Sequence, residues 1–266
     1  MLGFSFDGTH SIDIGICIKS KNRPVLPAPK IVSEDIPCRD GYYDFSSANV
    51  FGRTMYKERE ITVDCVVLEK DFGALRSKVR EVARWLSFKE GKLIFDDEPM
   101  VYYIARVTNK LDLEQQMMRG YFTIIFTCKP FAIGRVTSGD VLNYGNDGVF
   151  YGDVANYGGE NIFNVIGNTD IVVKNYGTFV KPKIVVDGNF NNIQFECGGK
   201  AIKYFANGSG RLIIDCYNMA ATKDNLNVLI NMVGSFFELT GGDNLIKITG
   251  TSLNCTVNFK FDYNYL

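Results

Sequence analysis

Leu93–Val107 reads LIFDDEPMVYYIARV. Two apolar runs flank Asp96, Asp97, Glu98 and Pro99, so the stretch is either a hairpin or an acidic catalytic cluster. Successive side chains of a strand point to opposite faces, which leaves Asp96 and Asp97 badly placed to cooperate. The carboxylates of a glycoside hydrolase face each other across a substrate and usually come from different strands. Asp and Pro are good turn formers, and carboxylates at a turn stay in water. The reading is a hairpin turn. Amide replacements of its three carboxylates are expected to change little.

Outward from this hairpin, REITVDCVVL (Arg59–Leu68) and YFTIIFTCKPF (Tyr121–Phe131) read as further strands. Leu75, Val79, Val82, Ala83 and Leu86 recur on a 3.6-residue period, which predicts one helix over Asp71–Phe88. Asp71 is its expected N-cap, Gly91 its stop signal, and Trp85 a core residue. The stretch IPCRDGYYDFSSANVFGRTMYKER (Ile36–Arg59) mixes polar, aromatic and glycine positions with no means of burying itself. Long segments of that kind usually reach across to another surface.

Composition changes near residue 134. Through Ile133 the chain carries 37 of its 59 charges and three asparagines; beyond it there are 22 charges and 19 asparagines. Such a shift marks a boundary. It divides the 266 residues into an N-terminal domain (1–134), a linker (135–160) and a C-terminal domain (161–266). The last is read as short strands: KPKIVVDG, NIQFEC, KAIKYFA, GRLIIDCY, FFELTG, NLIKITG and CTVNFKFDY. ANGSG and TGGDN are taken as hairpin turns between them. The spacing is that of a β-sandwich, and the fold class is mainly β with one helix. In the linker, Tyr144, Phe150, Tyr151 and Tyr157 are expected to anchor it against a domain or a neighbouring subunit.

Several functions are disfavoured. A net charge of -1 attracts neither nucleic acid nor an anionic membrane in bulk. No apolar run is long enough to cross a bilayer, and the first residues lack a secretory pattern, so folding in the producer's cytoplasm is expected. The seven cysteines have no CxxC pair and are expected as reduced core thiols, with no metal or other cofactor. The single histidine, His10, falls in a turn, and no nucleophile elbow, zinc or phosphate-binding motif occurs.

The order GFSFDGTHSIDIGICIKSKNRPVLPAPK, IPCRDGYYDF, a helix ending ARWLS, GKLIFDDEPMVYYIARV and GYFTIIFTCKPFA resembles the N-terminal domain of siphophage distal tail proteins. NYGTFVKPKIVVDG, LIIDCY, FELTGGDNLIKITG and FKFDYNYL are similar to that family's C-terminal domain. The resemblance implies a non-enzymatic virion protein at the tail tip, assembled in the host bacterial cytoplasm. It implies a hexameric hub ring of sandwich-like N-terminal domains, each with a packed helix and a long belt hairpin over Ile36–Glu60 that embraces the next subunit. Its implied belt contacts are Arg39, Asp40, Tyr42, Tyr43, Phe45, Phe51, Arg53 and Tyr56. The implied partners are the tail tube protein, a tail-associated tip protein and, through a galectin-like C-terminal sandwich, a receptor-binding protein in some members. Cys38 stands where the family pattern would have glycine. The alternative reading is a carbohydrate-binding sandwich contacting the host wall.

Overall fold

A computed structural model of the chain describes residues 3–38, 40–87, 90–116, 118–138 and 161–266. It comprises two compact units, residues 1–133 with Leu266 and residues 134–265. Most of the stretch expected as a linker, with its four aromatic residues, lies outside the described residues.

The first unit contains β1 (Phe4–Phe6), β2 (Thr9–His10), β3 (Ile16–Asn22), β4 (Ser33–Asp35), β5 (Tyr42–Asp44) and β6 (Arg59–Leu68). It continues with α1 (Phe72–Trp85), β7 (Gly91–Phe95), β8 (Val101–Val107), β9 (Glu114–Gln116), β10 (Arg119–Cys128) and the start of β11 (Ala132–Thr137). Its antiparallel sheet runs β2-β1-β7-β8-β10-β6-β3. β6 shows why: Arg59, Ile61, Val63, Cys65 and Val67 are buried, while the residues between them are not. One face of the strand enters the core and the other meets water.

α1 is capped as expected, with the Asp71 carboxylate accepting from Ala74 N–H at 2.8 Å. Its buried face is narrower than the periodicity suggests. Leu75, Val82 and Leu86 are buried, Val79 is half-buried and Ala83 faces water. Gly91 is not the stop. The helix closes at Leu86, which retains helical φ, and Gly91 opens β7. Trp85 is half-buried; it stacks on Phe4 at 5.6 Å and its indole N–H donates to Phe6 O at 3.1 Å.

The second unit holds β12 (Ile162–Ile166), β13 (Thr169–Asn175), β14 (Lys183–Cys197), β15 (Lys200–Tyr204), β16 (Asn207–Asp215), β17 (Ala220–Lys223) and β18 (Leu226–Asn227). After a 3-10 turn at Leu229–Asn231 come β19 (Met232–Gly234), β20 (Gly242–Lys260) and β21 (Asp262–Tyr265). Two pairs of strands read separately in the sequence are continuous here. KIVVDG and NIQFEC are both β14, and NLIKITG joins CTVNFK in β20. Their shared ladder shifts register twice between Asn189 and Gln194, where Asn192 has φ +50°. Such bulges bend a ladder without ending it. β13 pairs with the first part of β20 and β12 with the last, and both parts contribute to one apolar core.

ANGSG is not a turn. Asn207–Gly210 lie within β16, opposite Asn191–Gly188 of β14. A Cβ on Gly208 would fall 2.7 Å from the Phe190 ring, so glycine is needed there for close packing. Nor does FFELTG form a strand; only Leu239 bridges, to Val180.

Candidate functional site

The segment expected to reach outward is a two-stranded arm. β4 and β5 pair with each other as a separate sheet, in the register Ser33↔Asp44, Glu34↔Tyr43 and Asp35↔Tyr42. All six residues are exposed. The ribbon continues towards its root through Phe45 N–H to Val32 O (2.8 Å), Lys30 N–H to Met55 O (2.7 Å) and Lys57 N–H to Ala28 O (2.7 Å). It therefore starts well before Ile36, and its outgoing strand contains Ile31 and Val32, both exposed. Val25, Leu26 and Val50 are exposed as well. Val25, Leu26, Ile31 and Val32 carry no periodic signal in the sequence, because three prolines and a lysine break up any period in RPVLPAPKIV.

The expected contact residues divide along the arm. Asp40, Tyr42, Tyr43 and Phe45 stand in water, with Tyr43 and Phe45 stacked at 6.1 Å. Phe51, Arg53 and Tyr56 are half-buried. Tyr56 packs edge-on against Phe131 at 5.7 Å, so its ring holds the arm to its own unit. Arg39 lies outside the described residues. The turn after β5 braces itself. Ser46 N–H donates to Asp44 at 2.8 Å and Asn49 Nδ2 to Arg53 O at 2.6 Å. The Ser46 side chain and backbone hold the Asp44 carboxyl below its ordinary pKa.

Asp96, Asp97 and Glu98 form the turn between β7 and β8, but they do not simply stay in water. Asp96 accepts from Gly3 N–H (2.6 Å) and pairs with His10 Nε2 (2.9 Å). Because His10 Nδ1 accepts from Ile12 N–H at 3.2 Å, Nε2 carries the proton that bonds Asp96. Asp97 meets Lys21 at 2.6 Å and Arg23 at 2.8 Å, and Glu98 meets Arg23 at 3.2 Å. The Arg23 guanidinium also lies 4.8 Å from the centre of the Phe95 ring. Partial burial pushes both aspartates up, yet the His10 and Gly3 bonds at Asp96 and the Lys21 and Arg23 charges at Asp97 outweigh it. Both carboxyls sit below the ordinary value. These groups are occupied in tying β1, β2 and the root of the arm together. Nothing local in the sequence signals these pairings, because the partners come from up to 93 residues away.

At the other side of the root, the Arg59 side chain is buried, its guanidinium 5.5 Å from the Tyr103 ring centre, and Nε and Nη2 have no hydrogen-bond partner. Cys65, Cys128, Cys197, Cys216 and Cys255 are buried free thiols. Burial pushes Cys65, Cys128 and Cys216 up to about 12, so they are poor nucleophiles at neutral pH. On the second unit, an open groove of about 580 Å³ is lined by Asp187, Arg211 and Asp224, with Arg211 bonded to Asp187 at 2.8 and 3.1 Å. A neighbouring groove of about 550 Å³ is lined mainly by asparagine, serine and lysine. The described residues lining these two grooves include no aromatic ring on which a sugar would stack.

This fold has a solved counterpart. The chain superimposes on the crystal structure of Dit (gp 19.1) of phage SPP1, described as a paradigm of the hub adsorption apparatus in phages infecting Gram-positive bacteria. The two share 15% identity over 99% of each chain, with a TM-score of 0.69. A chain of the phage P2 baseplate in its activated, calcium-containing conformation is 11% identical over 100% of both chains, with a TM-score of 0.40, too low to define a shared fold. No curated protein matches the sequence at a significant level. The fold is therefore mainly β and Dit-like. Residues 9–128 match the model of the phage tail protein RIFT-related domain. The chain thus carries, over residues 9–128, a match to a domain named for phage tail proteins, within a mainly β, Dit-like fold.

Proposed function

We propose that six copies close into a hub ring at the tail tip, joining the tail tube to the adsorption apparatus, with the arm of each copy lying on the next. The observation that carries this is the arm: a ribbon paired with itself, set in a phage tail domain, with Tyr42, Tyr43 and Phe45 in water. Burying an aromatic or aliphatic side chain of this size contributes roughly 1.5–3 kcal/mol. Charged neighbours such as Glu34, Asp35 and Asp40 suit the rim of such an interface. In this reading Asp40, Tyr42, Tyr43 and Phe45 touch the neighbour, while Phe51, Arg53 and Tyr56 shape the root. The tail tube protein lies on one side of the ring and a tail-associated tip protein on the other. A receptor-binding protein attaches through the second unit.

The test is size exclusion with light scattering, supported by negative-stain images. Six copies of the 29.8 kDa chain give a species of about 179 kDa with six-fold symmetry. Replacing residues 33–45, the paired ribbon with Tyr42, Tyr43 and Phe45, with a short Gly-Ser turn is expected to leave a folded monomer by circular dichroism. Rings from that variant would remove the arm from the interface. Wild-type chain that stays monomeric even with tail tube protein present would refute the ring.

A further inference from the structure

The arm continues the β3–β6 pair, and the ladder breaks where the arm begins. β3 and β6 stay paired as far as Asn22↔Thr62, and pairing resumes at the bridge between Pro29 and Tyr56. Between these points the outgoing strand has six residues, 23–28, and the returning strand five, 57–61. Unequal lengths cannot keep one register across the gap. Pro24 and Pro27 fall in the outgoing stretch and have no N–H to give a ladder. Among the described residues the only backbone bond across the gap is Lys57 N–H to Ala28 O, beside the bridge. Backbone pairing therefore does not fix the direction in which the ribbon leaves the sheet.

The two strands of the root are held differently. The returning one is tied into the sheet. Arg59 pairs with Cys128 of β10, its guanidinium lies 5.5 Å from the Tyr103 ring centre, and Tyr56 packs on Phe131. Of the outgoing residues 23–28, Pro27 alone is buried and Arg23 alone is charged. Arg23 meets Asp97 through Nη2 at 2.8 Å and Glu98 through Nη1 at 3.2 Å, and its guanidinium lies 4.8 Å from the centre of the Phe95 ring. Lys21, near the end of β3, meets the same Asp97 carboxylate at 2.6 Å. A planar fork that spans two carboxylates and lies on a ring has one orientation. Its side chain is 22% exposed, so water and salt screen these pairs less than they would on an open surface.

We infer that Arg23, Asp97 and Glu98 are positioning residues, a clasp from the β7–β8 turn that sets the angle at which the arm leaves its own sheet. An arm aimed in advance loses less freedom when it lands on a second copy, so the clasp favours assembly without touching the neighbour. That consequence rests on the ring reading above; the clasp itself does not.

The experiment reads the arm's direction in the full-length chain. Spin labels are placed on Cys38, exposed at the arm tip, and on Lys70→Cys, exposed beyond the far end of β6. Cys17→Ser leaves only buried thiols besides these two. Tyr42→Ser, Tyr43→Ser and Phe45→Ser keep the arm off a second copy, and unlabelled chain is added in excess so that only distances within one chain are read. Pulsed electron resonance is expected to give one narrow distance distribution. Asp97→Asn with Glu98→Gln is expected to broaden it while circular dichroism shows the fold retained. Arg23→Lys, which keeps the charge and loses the fork, is expected to broaden it too, and it carries the test should the double variant fail to fold. A distribution that stays narrow in a folded clasp variant, or one already broad with the clasp intact, would overturn the inference whatever the assembly result. With the arm's aromatic residues in place, the same clasp variants are expected to raise the concentration for half-assembly at least about tenfold. Unchanged rings alongside a broadened distribution would overturn the clasp's part in assembly. Wild-type chain that never forms rings refutes the ring reading, and the distances still decide the clasp.

Discussion

Cys38 sits at the tip of the arm with φ +65°, in the left-handed region. There the Cβ of an L-residue crowds the following carbonyl at a cost of about 1–2 kcal/mol, which glycine escapes. The resemblance to distal tail proteins puts glycine at this position, and the backbone has kept the glycine conformation. Cys38→Gly is expected to stabilise the chain by up to about 1 kcal/mol, part of the gain being offset by the freer unfolded chain. Cys38→Ala should give no such gain in a denaturant melt. The acidic turn makes a second case at this scale. Asp96 and Asp97 have folded pKa values below the ordinary 3.8. Their contribution to stability is complete above that value and is lost as pH falls through the lower folded values. Asp97→Asn should therefore flatten the acid limb of a pH–stability curve. It should also speed amide exchange around Lys21 and Arg23, because it removes their shared partner. The residue types announced a turn, but nothing near them announced its partners.

Among the elements, α1 shows how far periodicity carries. Its existence and its Asp71 cap are legible, since both are set within a single turn of chain. The width of its buried face is decided by the sheet beneath it. Leu86→Asp places an unpaired charge at a side chain only 3% exposed and is expected to unfold the first unit. Ala83→Asp, on the same predicted stripe but facing water, should stay within about 0.5 kcal/mol of wild type. Thermal melts by circular dichroism separate the two. β14 and β20 show the opposite limit. Gly and Asn clusters read as chain reversals, whereas here they absorb bulges in strands that continue for 15 and 19 residues. A glycine permits a reversal, a bulge or a close approach, and only the neighbour across the ladder selects among them.

For the whole molecule, each unit buries a core of its own, which motivates a last prediction. A chain ending after Ile133 keeps the arm and the core around it, so it is expected to fold and form rings by light scattering while losing attachment of a peripheral partner. Only monomers from that truncation would mean that the second unit shares in ring closure. The sequence by itself determined the mainly β class, the single helix, the hairpin at Asp96–Pro99 and the change of character near residue 134. Each follows from side-chain period, turn chemistry or composition, which are local quantities. Only the tertiary structure decided that the acidic turn clasps His10, Lys21 and Arg23, that Tyr56 is held by its own unit, and that Tyr42, Tyr43 and Phe45 stand exposed on a ribbon paired only with itself. Those are meetings of residues distant in sequence, and strand pairing alone fixes which residues meet.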